Sequence, residues 1–302
     1  MPHREESLQK VLDGLMTRYK DRVPDVAEIF NAMIREQIIT DPSEIENDHI
    51  AFRTIGVKHL GIQSLEKIFL YYGYKRRDHY FFPEKKLDAY WYSPPNAKHP
   101  RIFISELRVN DLSPRTRNII RSYTDEVTED PADALDLKNA MEVDEFLHSG
   151  LWRLPTWEDY SALADESEYA AWTIYNRYYL NHFTVSVHNL KEGYNTIEDF
   201  NNFLERNGFM LNDSAGKIKK SPDGGLLQSS TVAHMIDAPF AKGERHRIPG
   251  SYVEFAERRV LPQFAHLSHS EIKREHRREG FEAANADKIF ESTYSAQTKR
   301  IK

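Results

Sequence analysis

Apolar and polar residues alternate with period two along Asn47-Asp48-His49-Ile50-Ala51-Phe52-Arg53-Thr54, and again along Asn181-His182-Phe183-Thr184-Val185-Ser186-Val187-His188. Side chains on a strand point to opposite faces in turn, so both runs read as short strands. One face of the first carries His49, Ala51 and Arg53; the matching face of the second carries His182, Thr184, Ser186 and His188. Ile50 and Phe52, like Phe183, Val185 and Val187, belong against a core. Beyond each strand the apolar spacing turns helical, over Ser64–Gly73 and Thr196–Gly208. Each helical run has a Ser or Thr N-cap candidate and ends at a glycine followed by an aromatic residue. Strand-like runs follow, ending Ile104-Ser105-Glu106-Leu107-Arg108 in one half and Tyr252-Val253-Glu254-Phe255-Ala256-Glu257-Arg258 in the other. Each half therefore reads β-α-β-β-β, and order preserved over that length marks a duplicated module. The fold expected is α+β, with two such modules forming a partly closed sheet around a cleft.

The chain divides accordingly into one catalytic domain with five parts. Residues 1–44 hold two helices broken near Val23-Pro24, with apolar stripes at Leu8, Val11, Leu12, Leu15 and at Val26, Ile29, Phe30, Met33. The modules span 45–110 and 179–260. A polar helical insertion occupies 111–178. Residues 261–302 read as a charged helix, Ser268 to Arg278, and a tail.

Composition narrows the function. The 302 residues carry a net charge of −6 with a pI near 6.1, which argues against nucleic acid as a partner. The absence of cysteine removes disulfides, thiolate metal sites and a cysteine nucleophile, and fits a reducing compartment. No stretch approaches a membrane span and the start lacks a signal-type apolar run, so the expectation is a cytoplasmic protein with no membrane partner. Oligomeric state is not legible.

Chemistry follows from the faces. Tyr252, Glu254, Ala256 and Arg258 share one side of the last strand. If the modules pair so that their first strands lie beside it, His49, His182 and Glu254 converge. Two imidazoles and a carboxylate on rigid strands can fill one face of an octahedral ion, as in non-haem Fe(II) oxygenases, although the same donors suit zinc. Glu106, taken as the first-half equivalent of Glu254, is a salt-bridge partner, a group orienting a histidine, or a fourth ligand. Two arginines share faces with the proposed ligands, Arg53 with His49 and Arg258 with Glu254, and arginine suits bidentate binding of a substrate carboxylate. Arg53 lies four positions from His49, roughly 13 Å along a strand, a reach that fits the far carboxylate of a short diacid; a structural ion pair is the alternative for each. Gln228, Ser229 and Ser230 add amide and hydroxyl groups on an expected inner strand.

Taken together, Asp48-His49-Ile50-Ala51-Phe52-Arg53-Thr54, Asn181-His182-Phe183-Thr184, the Leu226–Thr231 run and Pro249-Gly250-Ser251-Tyr252-Val253-Glu254-Phe255 resemble the 2-oxoadipate dioxygenase/decarboxylase family, which is related to the vicinal oxygen chelate fold. The resemblance implies Fe(II) held by His49, His182 and Glu254, with Arg53 on the substrate carboxylate and Ser292 in a substrate-contacting C-terminal region. It also implies conversion of 2-oxoadipate and dioxygen into 2-hydroxyglutarate and carbon dioxide, and a place in lysine catabolism. Two alternatives remain on this scaffold. One is a glyoxalase-like isomerase or lyase using zinc or nickel, with Glu106 as fourth ligand; the other is a non-catalytic small-molecule binder.

Overall fold

The computed structural model describes residues 2–301. Helices α1 (Pro2–Arg22) and α2 (Pro24–Arg35) come first. Pro24 lacks the N–H that would extend α1 and stands at the start of α2, where none is needed. The first module is β1 (Asn47–Ile55), α3 (Ile62–Tyr71), β2 (Lys75–Phe82), β3 (Leu87–Ser93) and β4 (Arg101–Leu107). The insertion holds α4 (Pro114–Thr124), α5 (Ala140–Phe146), α6 (Trp157–Glu166) and α7 (Glu168–Asn176). The second module is β5 (His182–Ser186), α8 (Ile197–Arg206), β6 (Lys219–Lys220), β7 (Leu226–Ser230) and β10 (Tyr252–Arg258). A separate hairpin, β8 (Met235–Pro239) with β9 (Arg245–Pro249), interrupts it before β10. Helices α9 (Ala283–Ile289) and α10 (Ser295–Thr298) close the chain.

One sheet runs through both modules in the order β2-β3-β4-β1-β5-β10-β7-β6, curled into an open half-barrel. In each half the first strand pairs in parallel with the last, β1 with β4 and β5 with β10, and the antiparallel pairing of β1 with β5 joins the halves. The two histidine-bearing strands are therefore central neighbours. The apolar face packs on helices: Phe183 meets Tyr19 of α1 and Phe30 of α2, Phe52 meets Phe69 of α3, and Phe255 meets Phe200 of α8. A fully buried phenylalanine such as Phe52 is worth about 3–5 kcal/mol against alanine, and this burial fixes which face of β1 looks the other way.

Three local expectations change. Helix α3 begins at Ile62 after Gly61, not at Ser64, whose hydroxyl instead donates to Asp130 at 2.6 Å. The charged helix over Ser268–Arg278 is absent: that stretch forms only the short turns His269–Glu271 and Arg274–His276. Its arginines bond backbone carbonyls of other segments, Arg274 to His99 at 2.8 Å and Arg277 to Arg258 at 2.8 Å, which anchors the stretch without a helix. The tail is largely buried helix, with Phe281, Ile289 and Phe290 in the core.

Candidate metal centre

His49 on β1, His182 on β5 and Glu254 on β10 meet on the concave face, each almost wholly buried. The two Nε2 atoms lie 3.3 Å apart, and Glu254 brings Oε1 to 3.4 Å from His49 Nε2 and Oε2 to 3.1 Å from His182 Nε2. Donors about 2.1 Å from one ion stand about 3.0 Å apart at right angles and about 3.4 Å apart at tetrahedral angles. The spacing fits a single ion and leaves its coordination number open.

The surrounding groups turn the imidazole lone pairs inward. His49 Nδ1 lies 2.8 Å from Asp48 Oδ1, and His182 Nδ1 lies 3.1 Å from Asn181 Oδ1. With Nδ1–H donated outward, each Nε2 carries a lone pair toward the other and toward a carboxylate. When both rings are neutral, only the Thr184 hydroxyl, 3.1 Å from His49 Nε2, can offer a proton to this group; the remaining lone pairs repel at hydrogen-bond distance, and a cation removes the conflict. Burial pushes His182 down to about 3, with Glu254 opposing, so its ring is neutral. For His49 burial also lowers the pKa, but Glu254 and Asp48 outweigh it and the net shift is upward. Glu254 is held below the usual range: burial alone would raise it, and the two histidines and Gln228 prevail. Gln228 donates from Nε2 to Glu254 Oε1 at 2.6 Å and accepts from Asn285 Nδ2 at 3.0 Å, fixing the carboxylate's orientation.

Period-two logic puts Asp48 on the face opposite His49, yet the two touch. The β1–β5 register shifts between Asn47 and Ile50, and such an irregularity re-aims side chains. The repeated pair of an Asp or Asn immediately before each histidine was the available signal for these orienting groups. Asp48 is itself gripped by Arg258, through Nε at 2.7 Å and Nη2 at 2.9 Å, and by Arg101 Nη1 at 3.2 Å.

Arg258 is thus a buried ion-pair partner and not a substrate ligand. Its Nη1 also donates to Gly280 and Arg278 carbonyls at 2.7 and 3.1 Å, which leaves one of its five N–H groups free. Glu106 is likewise removed from the ligand set. It sits beside Thr54, five positions along β1 from His49, and Phe103 is the β4 residue in the row of His182. Matching the parallel pairs His49↔Arg101 and His182↔Tyr252 makes Phe103, not Glu106, the counterpart of Glu254. The counterpart of Glu106 is Glu257, and the two do the same work. Glu106 accepts the Ile62 N–H of α3 at 2.7 Å; Glu257 accepts the Ile197 N–H of α8 at 2.8 Å. Each carboxylate faces the positive end of its module's helix, and a Cβ at Gly61 would collide with the Glu106 carboxylate.

The chamber beside the trio is lined by Phe103, Tyr252, Phe281, Ile289 and Phe290 among others, and encloses about 20 Å³, room for one water. The C-terminal segment forms its cover. Arg53 lies just behind that cover: Nη1 donates to Thr293 Oγ1 at 2.9 Å and Nη2 to the Phe290 carbonyl at 3.0 Å. Its guanidinium is also ringed by Tyr169, Trp172 and Phe290. Ser230 and Ser292 do not line the chamber; their hydroxyls lie 2.8 Å apart, and Ser292 accepts from Asn212 at 2.9 Å. They pin the cover to β7. The insertion residues Tyr169 and Trp172 and the cover residues Phe281 and Phe290 carry no sequence pattern that sets them apart from ordinary core aromatics. A larger cavity of about 590 Å³ lies by Glu106, Arg76, Asp88 and Arg121, away from the trio.

A duplicated βαβββ sheet curled into an open half-barrel is the vicinal oxygen chelate fold. A glyoxalase-superfamily protein from Ralstonia eutropha shares the fold at a TM-score of 0.72 and 20% identity, over 93% of this chain and 87% of that one. Within that class the chain belongs to the 2-oxoadipate dioxygenase/decarboxylase family, whose model matches residues 11–270. It is 45% identical over 98% of its length, and 80% of the relative's, to the Arabidopsis thaliana 2-oxoadipate dioxygenase/decarboxylase, chloroplastic. The crystal structure of hydroxyglutarate synthase from Oryza sativa in complex with 2-oxoadipate superposes with a TM-score of 0.90 at 42% identity, covering 98% of this chain and 95% of the other. The cytoplasmic expectation does not stand, because the Arabidopsis relative is named as a chloroplast protein. A cysteine-free chain with no membrane-spanning helix among its described residues suits a plastid interior as well as cytoplasm, so the features behind that expectation could not discriminate.

Proposed function

We propose that this chain is an Fe(II)-dependent oxygenase that converts 2-oxoadipate and dioxygen into 2-hydroxyglutarate and carbon dioxide, working as a single catalytic domain. The observation that carries the reading is the convergence of His49 Nε2, His182 Nε2 and the two carboxylate oxygens of Glu254, with contacts of 3.1–3.4 Å. Held by these three, Fe(II) would supply the redox chemistry that dioxygen requires and keep free positions for the keto and carboxylate oxygens of a 2-oxo acid. The chain's own groups do the rest. Asp48, Asn181 and Gln228 hold the three ligands in place. Phe103, Phe281 and Phe290 keep water from the reacting carbon. Arg53, freed from the Phe290 carbonyl and Thr293, supplies a cation for the carboxylate remote from the metal. The chamber admits such an acid only when the cover lifts.

Incubation of the protein with Fe(II) and 2-oxoadipate without oxygen, followed by admission of oxygen, should consume dioxygen and release carbon dioxide in equal amounts. Absence of oxygen uptake with 2-oxoadipate and with other 2-oxo acids refutes the assignment.

A further inference from the structure

The tyrosine beside the metal ligands carries a hydroxyl that no well-formed hydrogen bond uses. Tyr252 is fully buried, its ring centroid lies 4.9 Å from that of His182, and it lines the chamber. Its hydroxyl nevertheless has no hydrogen-bond partner. A buried hydroxyl left unpaired costs about 1–3 kcal/mol, and a phenylalanine would fill the same space without that cost. Arg53 Nε is a second buried donor with no partner. Arg53 acts on the Tyr252 hydroxyl through its charge and a side-chain contact, yet that contact falls short of a well-formed hydrogen bond.

Strand register relates these two donors to the metal trio. Phe103, Ala51, His182 and Tyr252 form one row across β4, β1, β5 and β10. Arg53, paired with Ser105, stands two residues further along β1 on the same face, roughly 7 Å away by strand rise. The five carbon–carbon bonds of a six-carbon diacid, about 1.5 Å each in a zigzag, span roughly 6 Å. A substrate anchored at the trio and extended toward Arg53 therefore passes the Tyr252 hydroxyl. Phe290 of the cover lines the chamber and packs against the Arg53 guanidinium.

Resting on the reading of the site as a 2-oxo diacid oxygenase, we infer that Tyr252 is a specificity-determining residue whose hydroxyl donates a hydrogen bond to the substrate carboxylate that Arg53 neutralises. Two donors on adjacent rows of a rigid sheet then select an acid charged at both ends. An acid of the same length with a methyl terminus leaves both donors unpaired, as they are in the closed chamber.

The test is Tyr252→Phe, compared with wild type in oxygen uptake and in anaerobic calorimetric binding, using 2-oxoadipate and 2-oxohexanoate. For 2-oxoadipate KM and Kd should rise about tenfold, and the ratio of kcat/KM for the diacid over the monoacid should fall by the same factor. The melting temperature should hold or rise, since the variant removes an unpaired buried hydroxyl; a merely structural role would lower it. A preference for the diacid equal to that of wild type overturns the inference, as does equal weakening of both acids. Should wild type itself bind neither acid and take up no oxygen, the fault lies with the oxygenase reading and not with Tyr252.

Discussion

Replacing Asp48 by asparagine probes the support of the site more sharply than removing a ligand. Asp48, Arg258 and Arg101 are each about 98% buried or more, so solvent screens their interaction little. Arg258 meets both carboxylate oxygens, at 2.7 and 2.9 Å. An asparagine keeps one acceptor and turns an NH₂ toward an arginine N–H, stranding a guanidinium among carbonyl groups. Breaking a buried pair in this way costs about 3–5 kcal/mol. The unfolding entropy of a 302-residue chain is about 0.6 kcal/mol per degree at roughly 2 cal/mol/K per residue, so the melting temperature should fall by about 5–8 °C. Burial by itself would raise the Asp48 pKa, but Arg258 and Arg101 outweigh it and hold the carboxyl well below the usual range. A depressed folded-state pKa gives stability that is fully present above the unfolded value near 3.9 and is lost as the pH falls through the folded one. The gap between wild type and Asp48→Asn should therefore close in acid, and it should also narrow modestly as the pH rises through the folded pKa of His49, which Asp48 helps to raise. Thermal melts across that range measure both quantities. A loss under about 2 °C, or a gap that closes completely between pH 6 and 8, would show that this network is not the support described. The double variant Asp48→Leu/Arg258→Met removes both charges, and should regain at least half of the loss.

Two further perturbations separate groups that orient ligands from groups that only hold the fold. Gln228→Leu keeps side-chain bulk but removes the 2.6 Å bond to Glu254; metal affinity by calorimetric titration should weaken about 10–100-fold, and unchanged affinity would mean that Glu254 needs no guide. Glu106→Gln and Glu257→Gln should each lower stability by about 0.3–1 kcal/mol through the lost interaction with a helix N-terminus, read in urea melts, while metal affinity stays at the wild-type value. A loss of metal in Glu106→Gln would restore the fourth-ligand role that the register denies it.

Much of this protein is written locally. The period-two runs at 47–54 and 181–188, the helices that follow them and the glycine stops come from side-chain alternation and backbone preferences acting over a few residues, and they are visible without a partner strand. Because those elements recur in the same order, the sequence also determined that the chain is built of two like modules. Register is another matter. Whether Glu106 or Phe103 answers to Glu254 depends on which residue of β4 lies across from His49, a choice made by pairing and packing between strands 50 residues apart. The irregularity that turns Asp48 onto its neighbour, and the burial of Arg258 against it, arise from contacts between β1 and strands distant in sequence. So does the cover over the chamber, because Phe281 and Phe290 read as ordinary apolar residues until the C-terminal segment docks on the sheet. Alternation sets which face a side chain takes; only the assembled sheet sets what stands opposite it, since that is decided by the summed packing of whole elements.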